Sequence, residues 1–430
     1  MLWLAAPLVA QQAGSHLMGV VDAAMLGRYS DSALAAAGVG NNVYFAVSCV
    51  GMGIVMGMDT VVPQALGAGR LDDARRAVGA GVRLAIIVGL LATLLLLASP
   101  IVLVWADIDK DVLHEARPYL YMRALGVVPF LFTVALRSYL AAHGMTRPMV
   151  IAVIAGNIVN AGLDLALIYG VDAIGLPAFG VIGAAAATTI VSILTASLYA
   201  LAVRNLDRGV TRPRSTGSDL KAIAHHGWPV GGQLLAEVGI FGVATVLAAH
   251  LGKVPAGAHS IALNLSSLTF SFGLGIASAT SVRVGHAVGA GDLALARRRG
   301  LLGLVLGLVV MSCFAATFLL IPRLLATGFT DDSTVVAATI PLLQIAALFQ
   351  LSDGTQAIGA GALRGRGDNK STLIGNLLGH YVVGLPIIIG LGFGAGLGAP
   401  GLWWGLSAGL TVTALFLLAR FLRSTSQSRR

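Results

Sequence analysis

QALGAGRLDDARR at residues 64–76 returns as HAVGAGDLALARR at residues 286–298. At one offset of 222 residues, Gly67, Ala68, Gly69, Leu71, Ala74, Arg75 and Arg76 meet Gly289, Ala290, Gly291, Leu293, Ala296, Arg297 and Arg298. The same offset carries Pro7 onto Pro229, Gln11 onto Gln233 and Asn42 onto Asn264; an offset of 223 carries Gly144 onto Gly367 and Arg147 onto Lys370. A spacing held so far along the chain marks a duplicated unit rather than chance likeness between Gly/Ala-rich segments. The Gly-Ala-Gly turns lack the Lys-Ser/Thr ending of a phosphate-binding loop, and no strand precedes them. They read as tight turns that start a helix, and a nucleotide-driven pump finds no support.

The duplicated unit is built for lipid. Of 430 residues 57% are hydrophobic and only 11% are charged, against about 25% charged in a soluble domain. A spanning helix needs roughly 20 apolar residues. Apolar segments fall near 2–26, 34–58, 77–104, 118–142, 148–170, 180–203, 222–250, 256–282, 300–325, 335–362, 371–394 and 400–422. The 55 glycines suit membrane helices that approach closely. The expected fold is therefore an all-α integral membrane protein, with twelve transmembrane helices in two pseudo-symmetric six-helix bundles. Residues 1–203 form the amino-terminal lobe, 204–221 a linker and 222–430 the carboxy-terminal lobe. The linker, RNLDRGVTRPRSTGSDLK from Arg204 to Lys221, is the longest hydrophilic connection and carries Pro, Gly and Ser. Six helices per copy give both copies one orientation, with an axis along the membrane normal and a substrate path between the lobes.

Charge fixes the sidedness. Loops on one side, with the carboxy terminus, hold 22 of the 28 Lys and Arg residues, including Arg212, Arg429 and Arg430. The other side holds Arg28, Lys110, Arg117, Arg123, Lys253 and Arg323. The positive-inside rule places both termini in the cytoplasm, in a plasma (inner) membrane. The net charge of +9 is spread over helix ends rather than gathered in one patch, so nucleic acid is not an expected partner. Cys49 and Cys313 each lie inside an apolar run and read as core thiols. Met1 to Leu26 is too long and too polar for a cleavable signal. The first helix starts almost at Met1, as though a short amino-terminal arm had been trimmed.

Four acids fall inside apolar segments: Asp22 in helix 1, Asp164 in helix 5, Glu237 in helix 7 and Asp353 in helix 10. An ionised side chain at mid-bilayer costs about 2.5–3.5 kcal/mol even on insertion scales, so such residues face cavities and carry function. No basic residue is expected deep in the same helices. Asn157, Asn160 and Asp164 share one helix face, as do Gln11, Ser15 and Asp22. Carboxylate, amide and hydroxyl oxygens converging on one spot suit a hard cation such as Na+, and they serve a proton equally well. The acids are not repeated: Asp22 aligns with Ala244, and Glu237 with Ser15. Substrate-cavity candidates are Gln11, Ser15, Asn157, Gln233, Glu237 and Asp353. His16, His143, His259 and His380 read as packing or interfacial residues.

The segments PLVAQQAGSHLMGVVDAAMLG, PQALGAG, NIVNAGLD, the Gln233-to-Glu237 step, RVGHAVGAG and LSDGTQAIGAGALRGRGD together resemble the multidrug and toxic compound extrusion family. The resemblance spans essentially the whole chain. It favours the NorM-type branch, because acids occupy helices 7 and 10 as well as helix 1. It implies two six-helix lobes about a central cavity and antiport of drugs against Na+ or H+. The family's helix-1 acid falls on Asp22, its helix-5 Asn and Asp on Asn160 and Asp164, a helix-6 Thr on Thr188, and its carboxy-lobe acids on Glu237 and Asp353. Asp22, Asn160 and Asp164 are the Na+ candidates. The departure from the family is the nearly absent amino-terminal arm.

The expected function is thus secondary active efflux of organic, cationic and amphipathic compounds by a monomer with no cofactor, driven by Na+ or H+. The alternative is a flippase for lipids or lipid-linked precursors, which would carry basic residues in its cavity for phosphate; the deep charges here are acidic. An enzyme would need a nucleophile–base pair or clustered histidines at membrane depth, and neither is apparent.

Overall fold

The computed structural model describes residues 1–105, 110–211 and 213–426; Arg212, Arg429 and Arg430, counted above, lie outside them. Among the described residues the chain is helical, with only an isolated bridge between Val171 and Leu176. The spans are α1 (Leu2–Tyr29), α2 (Asp31–Gly67), α3 (Leu71–Trp105), α4 (Lys110–Leu125 and Val127–Ala142), α5 (Arg147–Tyr169) and α6 (Val181–Leu206). The second set is α7 (Gly217–His250), α8 (Lys253–Gly289), α9 (Leu293–Leu320), α10 (Ser333–Arg366), α11 (Asn369–Gly394) and α12 (Ala399–Ser426).

Ten of these are long and apolar enough to cross a membrane, and α4 makes an eleventh once its halves, bent by 42°, are taken together. The twelfth, α1, has 28 residues, about 42 Å at 1.5 Å per residue; Gln11, Gln12, Ser15, His16 and Asp22 lower its hydropathy. On α3, Leu90, Leu91, Leu94 and Leu95 are all more than half exposed on one face, a surface for lipid. Several helices overrun their apolar segments, because backbone hydrogen bonding continues past the hydrocarbon edge. The overrun matters most in α4, which begins at Lys110 rather than 118 and breaks at Gly126. The start of α10 is capped by Asp332, which accepts from Thr334 Oγ1 at 2.6 Å and Thr334 N at 2.8 Å. These bonds, the hydroxyl's first, hold its carboxyl below the usual range.

By packing, the chain divides into two units whose edges are not the lobe limits read from sequence. One, the carboxy unit, comprises Met1–Gln12, Pro63–Gly69 and the chain from Gly232 on; the amino unit comprises Ala13–Val62 and Arg70–Gly231. The first turns of α1 therefore pack with the carboxy unit and those of α7 with the amino unit. The stretch read as a linker is helical to Leu206 and again from Gly217.

The two copies of the repeated motif pack on each other within the carboxy unit. A Cβ on Gly67 would stand 2.1 Å from His286 O, and a Cβ on Gly289 would stand 2.0 Å from Gln64 O. Since 64 and 286, and 67 and 289, are the same positions of the repeat, this is a reciprocal crossing in which each helix end uses its glycine to admit the other's backbone. Beyond it, Gly69 and Gly291 both turn the chain with positive φ, 71° and 77°, the left-handed conformation that glycine adopts without strain. Gly289→Ala should therefore lower the apparent melting temperature in detergent, as overpacking against backbone costs roughly 1–3 kcal/mol. Gly162→Ala is the matched control: its Cβ would meet nothing within 4 Å, and it should be neutral or slightly stabilising. Equal melting temperatures would dismiss the crossing.

Candidate functional site

Each unit holds its own buried acid cluster. In the amino unit α1 contributes Asp22, α5 Asn160 and Asp164, and α6 Thr188. Asn160 and Asp164 lie one turn apart on the buried face of α5, at 1% and 0% exposure. Asp22 Oδ2 accepts from Thr188 Oγ1 at 2.9 Å, while Asn160 and Asp164 approach near enough to act on the same carboxylate. Asp22 Oδ1, both oxygens of Asp164 and both amide atoms of Asn160 are buried with no hydrogen-bond partner. Two carboxyl groups and an amide thus lie together, and the Thr188 hydroxyl completes a hydrogen bond to one of them. Unpaired buried charge is strongly unfavourable, and oxygen ligands of this kind suit a hard cation.

Asn157, expected on the same face, is used otherwise. Its Nδ2 donates to Gly14 O at 3.0 Å and Val153 O at 2.8 Å, tying α5 to the backbone of α1. Ser15 is exposed. The helix-1 stripe is divided, because Gln11 belongs to the carboxy unit.

A base from a helix that carries none of the four acids, Arg123 of α4, also reaches this cluster. It is 7% exposed, stacks 3.9 Å over the Tyr44 ring, and is near enough for its charge to reach Asp22. In the sequence it counted as a loop residue, because the helical segment ahead of Gly126 is amphipathic rather than apolar. The buried acid Asp59 was also passed over. It is 4% exposed but accepts from Ser138 Oγ at 2.6 Å and lies 4.0 Å from Arg137, so it is a structural, neutralised group.

In the carboxy unit Glu237 on α7 is the centre. Its Oε1 accepts from Gln233 Nε2 at 3.1 Å, from Asn376 Nδ2 at 3.0 Å and from Gln356 Nε2. Three amides from α7, α11 and α10 thereby fix one oxygen. Asp353, 5% exposed, lies one turn from Gln356 on α10, where the charge of Glu237 reaches it. Arg364, farther along the same helix and 9% exposed, acts on Glu237 from a distance; it is a second deep base that the sequence reading did not anticipate. Gln233, Glu237 and Asp353 are brought together as expected. Gln356 and Asn376 were missed; the available signal was a lone amide inside an apolar stretch, IGNLLG for Asn376. Among the described residues no three of His, Cys, Asp and Glu gather as a metal cluster.

The MatE family model matches the chain twice, over residues 7–166 and 229–389, so the two matches begin one repeat apart. A probable multidrug resistance protein NorM of Deinococcus radiodurans is 37% identical over 439 residues, covering 100% of this chain and 96% of that protein. A multidrug resistance protein NorM of Burkholderia vietnamiensis is 34% identical, covering 98% and 93%. In fold, the chain is similar to a multidrug resistance MATE family transporter solved in an outward-facing conformation, with a TM-score of 0.90 at 20% identity, covering 99% and 95% of the two chains. A repeat matched in both halves and full-length likeness to NorM proteins lead to one conclusion: the chain belongs to the multidrug and toxic compound extrusion (MATE) family and is of the NorM type.

Proposed function

We propose that this efflux transporter exports cationic, amphipathic organic compounds in antiport with Na+ or H+, as a monomer in the plasma (inner) membrane with both termini cytoplasmic. The observation that carries the reading is the amino-unit cluster, where Asp22 Oδ1 and both oxygens of Asp164 are buried without a donor. A cation entering this cluster removes the unfavourable burial of unpaired charge. A positively charged substrate and a coupling ion compete for the same kind of oxygen-lined site, and that competition is the basis of exchange. The carboxy cluster offers a second such site, with Glu237 held by amides beside Asp353. Acids at both sites favour cationic cargo over phosphate-bearing lipids.

The test is efflux of a fluorescent organic cation from proteoliposomes, with Na+ and pH gradients imposed separately. Acceleration by either inward gradient supports antiport; indifference to both refutes it. Arg123 should tune the amino site. With Arg123→Gln its positive charge no longer opposes a cation at Asp22, so the coupling ion should bind roughly three- to tenfold tighter, as expected for a nearby charge at an effective dielectric near 20. Release would slow accordingly. The check is the ion concentration giving half-maximal efflux, which an unaltered value would contradict.

A further inference from the structure

An aromatic layer crosses the carboxy unit one turn beyond the Glu237 cluster. On α7, Phe241 follows Glu237 by four residues; on α11, His380 follows Asn376 by four. The Phe241 ring lies 6.4 Å from the His380 imidazole and 6.1 Å from Phe349 of α10, which lies 5.6 Å from Trp403 of α12, itself 5.9 Å from His259 of α8. A histidine therefore stands at each end of the layer.

The two histidines are not equivalent. His259 Nδ1 accepts from Trp403 Nε1 at 3.2 Å, and its Nε2 lies 3.1 Å from Thr245 Oγ1, which donates to Phe241 O at 2.9 Å. Since the indole N–H can only donate, Nδ1 carries no proton and Nε2 donates onward; His259 is locked neutral. His380 is 1% exposed, and neither ring nitrogen has a partner. It sits in a π-helical stretch, Leu377–Gly384, and wide turns of this kind recur at functional sites. On α10, Gln350 directly follows Phe349 and is 0% exposed with both amide atoms unpartnered; Ser407 Oγ, one turn from Trp403 on α12, is unpartnered too. Buried polar groups without partners call for an explanation.

We propose that His380 is the proton-exchange residue of the carboxy unit, passing protons through the aromatic layer to and from the Glu237–Asp353 pair. The free ring nitrogen accepts a proton from one side, and the imidazolium gives the proton on its other nitrogen to a carboxylate, which becomes a neutral acid. No other bond changes. The titratable and charged groups on the helices around the layer are Glu237 on α7, Asp353 on α10 with Arg364 farther along the same helix, His259 on α8, and Tyr381 beside His380 on α11, whose hydroxyl donates to Ala236 O; the charged residues of α12, Arg420 and Arg423, lie at its far end, Arg420 bonded to Asp368. The role rests on the antiport reading above.

The test uses the full-length reconstituted protein with His380→Gln and His380→Asn, which keep polar side chains but cannot carry a proton. Equilibrium binding of a fluorescent organic cation at fixed pH should stay within about twofold of wild type, showing a folded site. Efflux driven by a pH gradient should fall more than about tenfold, the range of a lost proton-transfer group, and lose its dependence on pH. Wild-type rates and pH profile in both variants would overturn the role of His380. Wild-type transport driven by Na+ and indifferent to pH would overturn it while leaving antiport intact. Proton-driven efflux that survives undiminished in Glu237→Gln would overturn the antiport reading at this cluster, and the role of His380 with it.

Discussion

Asp22→Asn should abolish gradient-driven efflux, by at least about a hundredfold, in a protein that still folds and reaches the membrane. Asparagine keeps an acceptor for Thr188 Oγ1, which bonds Asp22 Oδ2 at 2.9 Å, so the link from α6 to α1 survives. What disappears is one of the two charges at the amino cluster. With Asp164 alone, the cation loses half of its electrostatic partner set. A transporter whose ion site no longer changes occupancy cannot couple, however well it binds drug. Drug binding should fall only a few-fold, and binding measured alongside efflux separates this loss from misfolding. Coupled efflux at wild-type rate would remove Asp22 from the mechanism.

Glu237→Gln should have the second-largest effect, of a different kind. The three amides on Oε1 contribute charge-assisted bonds, worth about 1.5–3 kcal/mol each against 0.5–1.5 kcal/mol for neutral ones. A glutamine keeps the oxygen but weakens all three, and removes the charge next to Asp353. Substrate affinity should drop about ten- to a hundredfold, with coupled efflux lost. Glu237→Asp, which retains the charge but cannot reach all three amides, should be intermediate. An affinity unchanged in Glu237→Gln would place the drug elsewhere.

Much of this was legible in the sequence for a physical reason: lipid imposes helix length and leaves no other place for long apolar segments. The repeat at residues 64–76 and 286–298 fixed the duplication, and its glycines prove to be contact points between the copies. Even α1, whose polar residues depress its hydropathy, was readable from its place in the charge alternation. The buried acids were legible because charge inside an apolar segment is costly enough to stand out. Their partners were not. Arg123 lies before a break in α4 that no apolar boundary announces, and Arg364 sits near the basic end of α10. Gln356 and Asn376 reach Glu237 only through the packing of α10 and α11 on α7, a tertiary fact. Asn157 shows the converse, since helical periodicity placed it with Asp164 whereas its amide is committed to Gly14 O.

The two clusters stand in separate units, and in the proposed antiport both take part in coupling. The direct measurement is accumulation of a fluorescent organic cation against its own gradient in proteoliposomes, for the wild type, Asp22→Asn, Glu237→Gln and the double variant. The expected result is uphill accumulation by the wild type alone, with each single variant as inactive as the double one and all of them able to bind the cation to some degree. Uphill accumulation by the double variant would show that energy enters this transporter through neither cluster.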